Sequence, residues 1–242
     1  RRTVMTSLEQ WGVPLAVLGM LLLTLFMVAV LNRYQAHQAL VSTAVNRLEK
    51  GLAGIADALD GLTGVPLSKE LRVTLRSEIM ARYKKIQRLC RRYPGIADRV
   101  REAENAVSAQ GAAPQGGVGP IESEQVMRRM VFALDQLSGL IACGDMLQPV
   151  PGDVRVIFRR ELGERRAEVL ARYYLVEASR CESSGEVRRA RGKLTTLMQM
   201  LRQRGPGTAF VRELHHEAEA ALAALTERQL NPDSTTGGIG AV

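Results

Sequence analysis

Between Trp11 and Leu31 the chain reads WGVPLAVLGMLLLTLFMVAVL, an unbroken apolar run without a charge, and no other stretch restricts its folding so sharply. An α-helix rises about 1.5 Å per residue, so some twenty such residues cover the roughly 30 Å hydrocarbon core of a bilayer. The run exceeds the ~7 to 15 apolar residues of a cleaved signal peptide. It ends in Asn32, Arg33 and Tyr34, with no small-x-small cleavage site. A helix apolar on every face is also more than the core of a water-soluble domain asks for. Trp11 and Tyr34 bracket the run as interfacial rings do. Pro14 falls in the first turn, where its missing N–H does little harm, and the Thr24 hydroxyl can bond a carbonyl of its own helix. The expectation is a retained single-pass anchor over residues 11–31, preceded by a short tail over 1–10.

Arg1 and Arg2 precede the run, while Arg33, Arg47 and Lys50 follow it. The excess of positive charge on the C-terminal side puts that side in the cytoplasm of a bacterial-type inner (plasma) membrane. Cys90, Cys143 and Cys181 form no short-spaced pair, and an odd, scattered set suits a reducing compartment. Buried, inert thiols are the expectation for them.

The remainder predicts an all-α fold: a single N-terminal transmembrane helix, a juxtamembrane helical hairpin or coiled coil, and a C-terminal bundle of helical hairpins. Aromatic residues are 4% of the chain, which is rich in Ala, Leu, Arg and Glu and has no alternating strand pattern. Val41, Val45, Leu48, Leu52, Ile55, Leu59 and Leu62 are spaced 4,3,4,3,4,3, the seam of a coiled coil. Gly51 and Gly54 each cost up to about 1 kcal/mol of helix propensity, so this helix needs a partner. Two partners fit: the next helix folding back, or the same segment of a second copy, giving a homodimer through 41–62.

Gly61, Gly64 and Pro66 break that helix, and Ser68 is placed to cap the next, with Glu70 favourable to its dipole. This second helix, expected over about Lys69 to Tyr93, carries an apolar stripe of Leu71, Leu75, Ile79, Tyr83, Ile86, Cys90 and Tyr93. Its other faces hold Lys69, Arg72, Arg76, Arg82, Lys84, Lys85, Arg88, Arg91 and Arg92 against only Glu70 and Glu78. The chain's net charge of +8 is therefore concentrated here. Such a face has three readings: a solvated surface paired with acidic residues elsewhere, attraction to anionic lipid, or non-specific attraction to nucleic acid. The residues that would carry either attraction are Arg72, Arg76, Arg82, Lys84, Lys85, Arg88, Arg91 and Arg92. Tyr83 and Tyr93 lie on the apolar stripe and read as core before base-stacking platforms.

A shorter helix follows with Ile96, Val100, Ala103 and Val107 in its stripe, closing a juxtamembrane unit over 32–107. Ser108 to Pro120, SAQGAAPQGGVGP, is small and uncharged and reads as a flexible linker. Beyond it, a C-terminal unit over 121–230 opens with a helix marked by Val126, Met130, Leu134, Leu137 and Ile141. Asp153 is placed to cap a long helix over about Val154 to Glu182, and another helix runs to Arg204. Phe210, Val211, Leu214, Ala218, Ala221, Leu222 and Leu225 mark the last one, and residues 231–242 read as a disordered tail.

Ala178, Cys181, Gly185, Val187, Ala190, Leu194 and Leu197 form a pattern of small and large residues that resembles a tetratricopeptide helix–turn–helix. The resemblance covers one hairpin. It implies that Ala178 and Ala190 let the helices approach, that Gly185 ends the first, and that neighbouring helices cover the unit's open face.

No catalytic constellation emerges, and the expectation is a protein that is not an enzyme, with no cofactor, metal or small-molecule substrate. Gly192-Lys193 lacks both the first glycine and the Ser or Thr of a phosphate loop, since Val187 and Leu194 stand there. Glu213 and His216 form one E-x-x-H pair, whereas a carboxylate-bridged iron centre needs two. The expected function is a membrane-anchored scaffold or accessory subunit that holds a protein partner. The alternative is a membrane-tethered binder of nucleic acid or anionic lipid through residues 69–93.

Overall fold

The computed structural model describes residues 3–91, 93–109 and 116–230. Arg92, residues 110–115 of the 108–120 linker, the 231–242 tail and the side chains of residues 1–16 and 230, Trp11 and Pro14 among them, lie outside the description. The described residues form seven helices and no strand: α1 Thr3–Gly61, α2 Lys69–Leu89, α3 Ile96–Ser108, α4 Glu124–Cys143, α5 Gly152–Ser183, α6 Val187–Arg204 and α7 Ala209–Leu230.

The apolar run and the coiled-coil seam belong to one helix. α1 is 59 residues long, reaches back through Thr3 where a tail was expected, and continues through the seam to Gly61. From Val17 to Leu31 every large apolar side chain is at least half exposed. Moving each of these from water to an apolar medium is worth about 2 kcal/mol, so the run is not a core helix of this domain. It is long and apolar enough to cross a membrane.

Burial begins at Val41, one turn before the first fully covered seam residue, Val45. Leu52, Ile55 and Leu62 are buried with it. The cover is intramolecular: α2 folds back antiparallel, so that Val45 and Leu52 cluster with Ile86 while Ile55, Ala58 and Leu62 cluster with Leu71 and Leu75. Of the two partners the spacing allowed, the chain's own helices are the ones packed on the 41–62 seam.

The helices pack pairwise in the order α3, α2, α1, α4, α5, with α6 and α7 closing on α5. A large core joins α1, α2, α4, α5 and α7 around Leu71, Leu75, Leu134, Leu137, Ile141 and Leu162. Smaller clusters flank it, one under α3 around Ile96 and Val100, the other between α5, α6 and α7 around Ala178, Ala190, Leu194 and Leu225. The core thus runs across the expected boundary at 108–120. Val118 and Ile121 are buried in it, so the end of that stretch is packed and joins two halves.

Three carboxylates fasten the irregular segments to the helices. Glu161 of α5 takes the backbone N–H and the hydroxyl of Ser68 at 2.5 and 2.7 Å, while Ser68 caps α2 by accepting from the Leu71 N–H at 3.2 Å, as its position predicts. Glu168 of α5 takes the Val118 N–H at 2.8 Å and pairs with Arg165. Glu78 of α2 takes the N–H groups of Leu147 and Gln148 in the α4–α5 loop at 2.9 and 3.1 Å. Each carboxylate thereby satisfies at least one backbone donor that would otherwise be stranded at a helix flank.

Asp153 does not cap α5. The helix starts two residues earlier, at Gly152 with Pro151 in the cap position, and Asp153 lies inside the first turn where its charge still suits the dipole.

Candidate functional site

The basic residues of α2 do not form one surface. The inner face is Leu71, Leu75, Glu78, Arg82 and Ile86, a 4,3,4,4 spacing in which an ion pair replaces two apolar residues. Arg82 is buried, with Nε 2.7 Å from Glu78 Oε1 and Nη2 donating to the Asp145 carbonyl at 2.8 Å. It does not belong to the exposed cations: its charge is neutralised by a carboxylate that is itself fully buried. Ile79 and Tyr83, expected on the inner stripe, are half-buried beside it.

The other expected polyanion contacts divide further. Lys84 pairs with Glu104 of α3 at 2.9 Å, and Arg76 donates to the Ala106 carbonyl at 2.9 Å. Arg72 is half-buried. Lys85, Arg88 and Arg91 are exposed, the first two at the C-terminal end of α2 and Arg91 just past it, since the helix stops at Leu89 and not at the expected Tyr93. Because α2 is antiparallel to α1, that end lies nearest the apolar run.

There α1, α2 and the α4–α5 loop bound a cleft of about 660 Å³. Arg47, Lys50 and Lys85 line it and are exposed, and Asp145 is the one carboxylate among its lining residues. Leu48, Leu89 and Leu147 supply its apolar walls, and the paired Arg82 closes it from inside. Neither Arg47 nor Lys50 stood out in the sequence as part of a site, since each is a single charge on a seam helix. Their approach to Lys85 follows from the hairpin.

The other candidate surface is the C-terminal hairpin. Ala178 and Ala190 are buried where α5 and α6 meet, with Leu194 and Leu197, while Cys181 and Val187 are half-buried. Gly185 has φ +75, and Glu186 N–H bonds back to the Cys181 carbonyl at 2.8 Å, so a residue free of a Cβ suits the turn. α5 alone is 32 residues and α6 is 18, whereas a tetratricopeptide unit fits both helices into about 34. α7 covers the pair, tied by Arg172 to Glu217 at 3.0 Å and by Arg228 to Glu182. Between α5, α7 and the 117–120 segment a groove of about 580 Å³ remains, walled by Leu175, Val176 and Pro120.

On the α5 face towards α4 and α6, Tyr173 and Tyr174 meet edge to face at 5.3 Å, with Lys193 about 6 Å from both rings. Burial raises the pKa of both phenols above the ordinary 10.0, and the neighbouring Glu177 raises Tyr173 further. Of the three cysteines, Cys90 and Cys181 are half-buried and Cys143 is exposed at the end of α4, so none is buried as expected.

These surfaces offer apolar walls, fixed charges and one buried and one half-buried tyrosine ring. Compared with protein-family models, with curated proteins and with solved structures, the chain matches none.

Proposed function

We propose that the chain is a single-pass membrane-anchored scaffold or accessory subunit. In this reading α1 crosses a bacterial-type inner (plasma) membrane and the helical domain stands on the cytoplasmic side, where it holds a protein partner. The observation that carries the reading is the continuity of α1, which passes from the exposed apolar run into the domain core without a break. A flexible tether would serve to keep an independent domain near a membrane. A continuous helix does more, because it sets both the height and the rotational setting of whatever the domain holds. The tetratricopeptide-like α5–α6 hairpin, with the groove beside α7, is the docking surface we assign to the C-terminal half.

The second reading, a binder of nucleic acid or anionic lipid through residues 69–93, has less support. Arg82 is consumed by Glu78, and Lys84 and Arg76 by groups of α3.

The test is a flexible Gly-Ser insertion after Gln38, in the exposed part of α1, compared with a seven-residue helical insertion that nearly preserves rotation. The expected result is that the flexible insertion lowers recovery of the native partner from solubilised membranes by at least about tenfold, with the domain's thermal midpoint unchanged. The helical insertion retains more of it. Equal recovery with the flexible tether, or a chain that alkaline extraction removes from membranes, would contradict the proposal.

A further inference from the structure

The cleft between α1, α2 and the α4–α5 loop has walls and charges of a kind that select among partners. We infer that it binds an acidic, amphipathic helical segment of a protein, with leucine-type residues against Leu48, Leu89 and Leu147 and carboxylates against Arg47, Lys50 and Lys85. The inference deepens the scaffold reading and rests on it for the position of the membrane.

Height argues against the lipid of the same membrane. Arg47 and Lys50 follow Leu31 by sixteen and nineteen residues on one helix, which puts them about 24 and 28 Å beyond the end of the apolar run. The headgroup layer takes up only about 5 to 8 Å of that distance. The remainder is about two Debye lengths at physiological salt, and a typical tilt near 20° shortens it by less than a tenth. Headgroup charge is screened before it reaches the cleft.

The lining argues against nucleic acid. Three exposed cations would release about three counterions, a small return on a surface whose walls are leucines. Single strands are held by stacking on aromatic rings, and the cleft has none: Tyr83 and Tyr93 open with Ile86 into a separate pocket beneath α3. Apolar walls with a cationic rim match the helix-in-groove mode, in which an apolar stripe anchors the segment and flanking charges set its register. The cleft is also braced. Glu78 pins Leu147 and Gln148, and Arg82 pins the Asp145 carbonyl, so the loop that forms one wall is held before anything binds.

The experiment uses the full-length chain in nanodiscs of neutral lipid and a fluorescent helical peptide of about eighteen residues, leucine along one stripe and glutamate beside it. A shuffled peptide of the same composition, an oligothymidine strand and anionic vesicles serve as competing probes. The amphipathic peptide is expected to bind best, and Arg47→Glu with Lys85→Glu should weaken it by at least about tenfold. Leu89→Asp should do the same, while Arg88→Glu, outside the cleft, should leave binding within about twofold. All these side chains are exposed, so the fold should survive, with the thermal midpoint as the check. Equal binding of the shuffled peptide or the oligonucleotide, or indifference to the charge reversal, would overturn the inference. If the reversed variant loses neither the peptide nor the native partner, the cleft assignment falls and the scaffold reading stands. If the peptide binds as expected but the native chain brings no partner out of membranes, the scaffold reading falls instead.

Discussion

Gly51 looks, in sequence, like a weakness in α1, a residue that costs helix propensity on a helix already short of support. In the folded chain it is the point where α1 admits the Arg82 guanidinium. A Cβ on Gly51 would lie 1.9 Å from Arg82 Nη1, and Arg82 has no freedom to withdraw, held as it is by Glu78 and the Asp145 carbonyl. Gly54, one turn on, meets nothing within 4 Å. The two alanine substitutions should therefore differ in sign. Gly51→Ala should destabilise by about 1–3 kcal/mol through overpacking, and Gly54→Ala should stabilise by about 0.5–1 kcal/mol through helix propensity, both read by chemical denaturation. The phenols give a second prediction at this scale. Because burial raises the Tyr173 and Tyr174 pKa values, their contribution to stability is present below about pH 10 and is lost as pH climbs through the raised folded values. Denaturation midpoints taken from about pH 8 to pH 11 should fall more steeply for the native chain than for Tyr173→Phe combined with Tyr174→Phe.

At the scale of elements, periodicity revealed where helices lie but not always which face is turned inward. On α2 the apolar count favoured Ile79 and Tyr83, while the buried positions between Leu75 and Ile86 are Glu78 and Arg82. The signal was present as an i,i+4 pair of opposite charge on the inner rows, a pattern that neutralises itself and can enter a core. On α4 the expected Val126 is exposed and Met127 is buried in its place. The composition of the 108–120 stretch suits a flexible linker or a long exposed loop, yet the small residues at its C-terminal end also serve close packing. A Cβ on Gly117 would lie 2.6 Å from Glu168 Oε1, so glycine is what lets the chain reach the carboxylate that holds Val118. Glu168→Ala should release this segment. Limited proteolysis of the native chain and the variant is the measurement, with cleavage within 108–120 expected to accelerate by at least about tenfold, and an unchanged rate contradicting the role given to Glu168.

For the whole molecule, the apolar run and the heptad seam were each legible, and so was the turn at Gly61 to Ser68. Helix continuing from run into seam was legible too, since Tyr34 and Gln38 keep the seam's register back to the run, and α1 is unbroken there. What the sequence left open was what covers the seam, because spacing alone does not distinguish a neighbour in the same chain from one in another, and the hairpin of α2 supplies that cover. The cleft was not legible for the same reason: Arg47 and Lys50 meet Lys85 only after the chain has folded back.

The central claim is that one helix leaves lipid and enters the domain core without a joint, and a nitroxide scan along residues 17–50 in nanodiscs tests it most directly, with Cys90, Cys143 and Cys181 replaced. The account predicts high oxygen access on all faces from Val17 to Leu31, and access to water on all faces from Asn32 to Leu40 with helical order maintained. From Val41 onward it predicts protection on one face with a period of about 3.6 residues. A one-sided pattern within 17–31, or a mobile break between 32 and 40, would contradict it.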